Sequence, residues 1–278
     1  MSQRRGPLKR MFKLNRGSQL ILHKEPTVKN PRLVVAWGCI GEVGIEAATY
    51  LRDKLGAEEF GEIEPYDFFE VPTLVKDGVI EKLDPPETKF YHWKNGTGGD
   101  LIICMADFEP PNARYEYVNL ILDLAERFKV KRLYTVCAFP TTIHHTSEPR
   151  VIGVANNAKL IKYLEEHHIM LMMDRDLNTM NGLLLGLAKK RGIEGIYLLG
   201  EVPAYAVAMA NPKSCKAVLG ALAAMLGVDV DMTEIEETLR QTEGELDKRM
   251  REASSEFLDH FTIDYRDFFE DDGSYRTL

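Results

Sequence analysis

Residues 32–55 read RLVVAWGCIGEVGIEAATYLRDKL. The first six, Arg32–Trp37, form a short apolar run with the composition of a buried strand. Glycines at 38, 41 and 44 follow and make a tight turn. From about Glu42 to Leu55, Ala48, Leu51 and Leu55 fall on one face of a helix. Strand, tight turn and helix in succession is the rhythm of α/β construction.

Working outward, the rhythm repeats. Tyr66–Val71 reads as a second strand. The stretch TLVKDGVIEKL reads as a hairpin, because Asp77-Gly78 between two apolar runs is a type I′ turn signal. Thr88–Trp93 and Asp100–Met105 read as a strand pair across NGTGG. Asn112–Phe128 reads as a helix with Val118, Ile121, Leu122, Ala125 and Phe128 on its inner face. Further strands are expected at Arg132–Phe139, Val151–Ala155, Ile169–Met173 and Gly195–Gly200. Asn156 or Asn157 is placed to cap a helix reaching Glu166. Leu183, Leu184, Leu187 and Ala188 face inward from a helix ending at Gly192, and Pro212–Leu226 is another helix. Thr233 with Glu236 forms a capping-box pattern for a long helix to about Arg251. Its apolar stripe, Ile235, Leu239, Leu246 and Met250, suits a helix lying over a surface or a partner.

The expected organisation is a basic arm over 1–19, a single α/β domain over 20–230, and an acidic helical appendage and tail over 231–278. The charge distribution supports it: residues 1–32 carry +8 and residues 229–278 carry −10 in a chain of net charge −8. The tail interleaves its acids with Phe257, Phe261, Tyr265, Phe268 and Phe269. We expect residues 233–270 to dock on a neighbouring subunit or another protein. The body is acidic and lacks an aromatic-basic surface motif, so nucleic acid is not expected as a partner. The longest apolar run, Leu101–Ala106, is far short of the roughly 18 residues a membrane helix needs. No apolar stretch follows the basic N-terminus, so neither a membrane span nor a secretory signal is expected. Cys39, Cys104, Cys137 and Cys215 are widely spaced without a CxxC pair. That excludes a zinc ribbon and suits free thiols in a reducing cytoplasm.

Four places could carry chemistry, each just after an expected strand. The turn Gly38, Gly41, Glu42, Gly44 has neither the dinucleotide spacing nor the phosphate-loop lysine, and Glu42 would repel phosphate. It reads first as a structural turn and second as a ligand loop. The loop 138–150 gathers Thr141, Thr142, His144, His145, Ser147, Glu148 and Arg150, with Cys137 at its root. A Cys–His pair could supply a nucleophile, and adjacent histidines could bind metal only with ligands from elsewhere. Asp174-Arg175-Asp176 pairs two carboxylates that could do acid–base work, but with an arginine between them it reads first as a local salt bridge. Glu201 reads as a buried acid or as capping chemistry. The candidate ligand or partner loop comprises Gly38, Gly41, Glu42, Gly44, Thr141, Thr142, His144, His145, Glu148, Arg150, Asn156 and Glu201. No catalytic signature is present on spacing, and no metal or cofactor is expected.

Three stretches resemble the proteasome assembly chaperone 2 family: VVAWGCIGEVGIEAATYLRDKLGA, LYTVCAFPTTIHHTSEPRVIGVANNAKL and MNGLLLGLAKKRGIEGIYLLGEVPAYAVAMANPKSCKAVLGALAAMLGVDVD. With the segments between them they cover roughly residues 20–232. The resemblance implies a three-layer phosphorylase/hydrolase-like α/β fold, with a mixed twisted sheet between helices and, here, a C-terminal helical appendage. It also implies self-association, and for some members a role in assembling or binding proteasomes. Prokaryotic members also bear the label of ATP-grasp-like carboxylate–amine ligases. Members that dock on proteasome rings resemble ring activators in ending with a hydrophobic-Tyr-any tripeptide. This chain ends Tyr275-Arg276-Thr277-Leu278, so docking by that route is not expected. The expectation is a non-catalytic, homo-oligomeric binding or assembly protein. The alternative is a small-molecule hydrolase, transferase or ligase working at the carboxyl edge of the sheet.

Overall fold

The structure, a computed structural model, describes residues 20–239 apart from 72, 82, 83 and 97. In chain order its elements are β1 (Leu20–Leu22), β2 (Arg32–Trp37), α1 (Val43–Leu55), β3 (Glu58–Ile63), β4 (Val75–Lys76), β5 (Val79–Ile80), β6 (Thr88–Trp93) and β7 (Leu101–Ala106). Then come α2 (Arg114–Arg127), β8 (Arg132–Thr141), β9 (Val151–Ala155), α3 (Ile161–Glu166), β10 (Met170–Leu171), α4 (Met180–Lys190), β11 (Glu194–Pro203) and α5 (Pro212–Leu226).

Nine strands form one mixed, twisted sheet in the order β1-β3-β6-β7-β2-β8-β11-β9-β10. The central four, β7, β2, β8 and β11, are parallel. β9 runs antiparallel to β11. Parallel strands are buried on both faces, so they read as continuous apolar runs, and β7 is buried at every position. Alternation along β2 sends Leu33, Val35 and Trp37 to one core with α2 and α4, and Val34 and Ala36 to another with α1, α3 and α5. The result is a sheet between two helical layers.

The helix ends show why the chain turns where it does. Gly56, with φ of 64°, closes α1 by donating to the Arg52 and Asp53 carbonyls. Thr179 caps α4 by accepting from Gly182 N–H. Asn211 caps α5 by accepting from Ser214 N–H, with Pro212 at the first helical position. The far end of α5 is held by Arg32, whose guanidinium donates to the Met225 and Leu226 carbonyls at 3.1 and 2.6 Å.

Two expectations need correction. Tyr66–Val71 is a turn, not a strand: Phe68 and Phe69 N–H both donate to the Pro65 carbonyl, and the two rings stack edge-on against Tyr117 in the core. The strand in that region is β3, held between β1 and β6. Thr233 does not cap its helix. Asp231 does, accepting from Thr233 N–H at 3.0 Å and from the Thr233 hydroxyl at 2.6 Å. The helical segment 233–239 packs on the chain's own body: Ile235 is buried in the α1/α5 core, Lys54 pairs with Glu234, and Lys216 pairs with Glu236. The rest of that helix, the acidic tail and the basic arm lie outside the described residues. No described helix is long and apolar enough to cross a membrane.

Candidate functional site

The carboxyl ends of the parallel strands share one edge of the sheet, which is where open α/β sheets bind ligands. The glycine turn sits there after β2 and is built by packing. A Cβ on Gly38 would fall 2.0 Å from the Asp107 carbonyl oxygen, and one on Gly44 would fall 2.4 Å from that of Val136. Gly44 is thus what lets α1 lie directly on β8. Gly41 has φ of 61° and ties the turn to the segment after β11: its N–H donates to the Val207 carbonyl and its carbonyl accepts from Asn211 N–H, both at 3.0 Å. Glu42 is also left-handed, with φ of 56°, and is exposed. It raises the pKa of Glu46 one turn on, adding to the larger effect of burial.

The loop after β8 folds over the same edge. Thr141 is buried, its hydroxyl accepting from Ile143 N–H at 3.2 Å, while Thr142 is exposed. His145 is buried against Tyr205, whose hydroxyl contacts both its N–H (2.9 Å) and its Nδ1 (2.8 Å). His144 is exposed, with its Nδ1 2.9 Å from the Thr146 hydroxyl. Their rings stack 4.2 Å apart. Lys213 at the start of α5 donates to the Thr146 carbonyl at 3.1 Å and lies 3.7 Å from the exposed Glu148.

Glu201 near the end of β11 has no exposed side-chain surface. Arg150 encloses its carboxylate: backbone N–H and Nε donate to Oε2 at 2.9 Å each, and the guanidinium donates to Oε1 at 2.7 Å. The buried acid therefore clamps the end of the 138–150 loop to β11. Ile143, His144, His145, Glu201, Lys213 and Leu239 help line a groove here whose inner space is about 20 Å³. That is room for about one water molecule, against the roughly 300 Å³ or more of a ligand pocket.

The structure thus brings the glycine turn, the 138–150 loop and Glu201 to one edge, bridged by Asn211, Lys213 and Tyr205. Asn156 is elsewhere. It sits at the opposite end of β11, its amide donating to the Leu185 and Ile193 carbonyls and accepting from Gly195 N–H. Asp174 and Asp176 are exposed, and Arg175 stacks over Phe139 at 5.2 Å. Among the described residues no group of three or more His, Cys, Asp or Glu could hold a metal ion.

Sequence reasoning missed one feature of this edge. Cys137 on β8 and Cys39 in the glycine turn meet with sulfurs 2.7 Å apart. Nothing in a separation of 98 residues announces that contact; only the parallel pairing of β2 and β8 creates it.

Comparison with known proteins agrees with this architecture. The sequence profile of the PAC2 family matches residues 33–250. The chain is 27% identical over 222 residues to the uncharacterized protein MJ1210 of Methanocaldococcus jannaschii, covering 80% of this chain and 83% of that one. The crystal structure of Pyrococcus furiosus PbaB, an archaeal proteasome activator, is 29% identical with a TM-score of 0.71, over 84% of this chain and 98% of that one. Pyrococcus furiosus PbaA, an archaeal homolog of proteasome-assembly chaperone, shares the fold at 23% identity and a TM-score of 0.65, over 87% and 99%. With most of its length under the family profile and its sheet, turn and loops in this arrangement, the chain belongs to the PAC2 family.

Proposed function

We propose that this is a non-catalytic, homo-oligomeric binding and assembly protein whose ligand is another protein. The observation that carries the reading is the hairpin β4–β5. It is a separate two-stranded sheet, closed by the Asp77-Gly78 turn with both φ angles positive. Leu74, Val75, Val79 and Ile80 on it are between 61% and 68% exposed. A lone hairpin is marginal in water, and contiguous exposed aliphatic side chains mark interaction surfaces. The relatives support the same class, since PbaB is a proteasome activator and PbaA a homolog of proteasome-assembly chaperone. The two helical layers about the sheet fit a phosphorylase/hydrolase-like fold, and four free thiols suit a cytoplasmic chain.

The second reading, a small-molecule hydrolase, transferase or ligase, draws on His144, His145 and Glu201 sharing one groove. It is weaker because the Glu201 carboxylate is held by Arg150 and the inner space fits little more than a water. No cofactor is implied.

The test is solution mass by light scattering, for the full chain and for a variant carrying Val75→Lys and Ile80→Lys. These residues pair across the hairpin, outside both cores, so the variant should fold normally. The native chain is expected to exceed its 31.6 kDa monomer mass and the variant to fall to a smaller species. A native monomer, or a variant of unchanged mass, removes the hairpin from assembly.

A further inference from the structure

We propose that Cys39 and Cys137 are a redox-reversible pair, closing to an intramolecular disulfide when a small-molecule disulfide such as oxidised glutathione is present. Their sulfurs already lie 2.7 Å apart, with the Cys137 thiol donating to Cys39. Both backbones are anchored where they meet. Cys137 lies on β8, paired with Leu199 of β11 and one residue beyond the last β2 pairing, Ala36 with Val136. Cys39 is fixed by Glu42 N–H donating to its carbonyl at 3.0 Å, and by the Gly41 bonds to Val207 and Asn211. Disulfides demand a narrow placement of the two Cβ atoms, and a turn held this way brings the sulfurs together without unfolding any element.

The two thiols are chemically unequal, as exchange requires. Cys39 is half-buried, whereas Cys137 is buried. The Cys137 hydrogen bond holds the Cys39 thiol below its ordinary pKa, against the opposing effects of burial and of Glu109. Cys137 is pushed up by the Cys39 sulfur and by burial. The thiolate is the attacking species, so Cys39 enters and Cys137 resolves. The Cys39 thiolate attacks one sulfur of the small disulfide; that S–S bond breaks, a mixed disulfide forms and one thiolate leaves. Cys137 then gives up its proton and attacks the Cys39 sulfur, expelling the second thiolate. Two protein thiols are oxidised by two electrons, one disulfide is reduced, and both protein protons end on the released thiols. Cys104 and Cys215 are buried, with burial raising both pKa values, Cys215 to about 12. They stay reduced. The pair is not part of a metal site, since no third ligand stands by it among the described residues.

The experiment incubates the full chain across a series of reduced-to-oxidised glutathione ratios. Samples are quenched in acid, denatured, labelled with a maleimide, and read by intact mass and by peptide mapping. The expected result is loss of two of the four thiols with no glutathione retained, and a Cys39–Cys137 linked peptide. Cys137→Ser should instead accumulate one glutathione on Cys39, while Cys104→Ser should close like the native chain. The proposal is overturned if all four thiols still label under fully oxidised glutathione. It is equally overturned if the native chain stops at a stable mixed disulfide, or if the cross-link joins two chains. The peptide map of the native chain decides the matter even if a variant fails to fold. A monomeric native chain would sink the assembly reading without touching this one.

Discussion

Removing Arg150 should cost more stability than removing the charge of Glu201, although they are two ends of one ion pair. The Glu201 side chain is 0% exposed and that of Arg150 56%. Arg150→Ala therefore leaves a fully buried carboxylate stripped of its two guanidinium bonds and holding only the backbone N–H of residue 150. Breaking a buried pair from that side costs about 3–5 kcal/mol, and the lower end applies here because the vacated site opens to solvent. Glu201→Gln leaves Arg150 free to turn to water and keeps one oxygen to accept its backbone N–H. The loss is then that of charge-assisted hydrogen bonds, about 1.5–3 kcal/mol at most, so about 1–2 kcal/mol is expected. Urea unfolding followed by circular dichroism measures both differences, provided the denaturant slope is unchanged. If Glu201→Gln proves the more damaging, or both variants fall within half a kcal/mol of the native chain, Glu201 is not the buried anchor of the 138–150 loop.

Ile121 of α2 is fully buried against the sheet, so Ile121→Ala should cost about 2–5 kcal/mol in the same assay; a loss below half a kcal/mol would mean that face of α2 is not packed. Gly41→Ala places a Cβ at positive φ and 3.3 Å from Asn211 Cβ, so a loss of about 1–2 kcal/mol is expected, and full stability would show the turn relaxes freely. Burial, then the nearby Lys24 charge, holds the pKa of His92 below its ordinary value. The unfolded chain therefore binds that proton at higher pH than the folded one, and stability falls as pH drops through about 6.5. His92→Gln should flatten that acid-side slope of the urea midpoint; a slope equal to the native one refutes the assignment.

Much of this fold was legible because its central strands are buried on both faces. Arg32–Trp37 and Pro212–Leu226 are bounded as the sequence predicts, one by a glycine turn and the other by proline at its start and glycine at its end. β3 was not legible. Its sequence EEFGEI has few of the β-branched and aromatic residues favoured in strands, and it is a strand because β1 and β6 pair with it on either side. The aromatic stretch just after it looked more like a strand, yet Phe68 and Phe69 reach the core from a turn. At the candidate site the loop residues were visible individually, but their partners were not. Glu201 finds Arg150, His145 finds Tyr205, and Cys39 finds Cys137 only through the strand order. That order includes the reversal of β9, which takes Asn156 to the far end.

The two cores differ in kind as well as in position. The side holding α2 and α4 receives Trp37, Phe60, Phe68, Phe90 and Tyr117. The side holding α1 meets Ala36, Val43, Ala47 and Ala48, with Gly44 seated on a strand carbonyl. A slip of β2 by one residue would exchange its faces. The indole of Trp37 would then be driven under a helix that has no room for it, and an alanine would be left among the aromatic rings. Close-packed interiors tolerate neither error. The unequal bulk of the two layers thus acts as a lock on strand alignment, rejecting the neighbouring registers by volume where a uniformly aliphatic sheet would accept them.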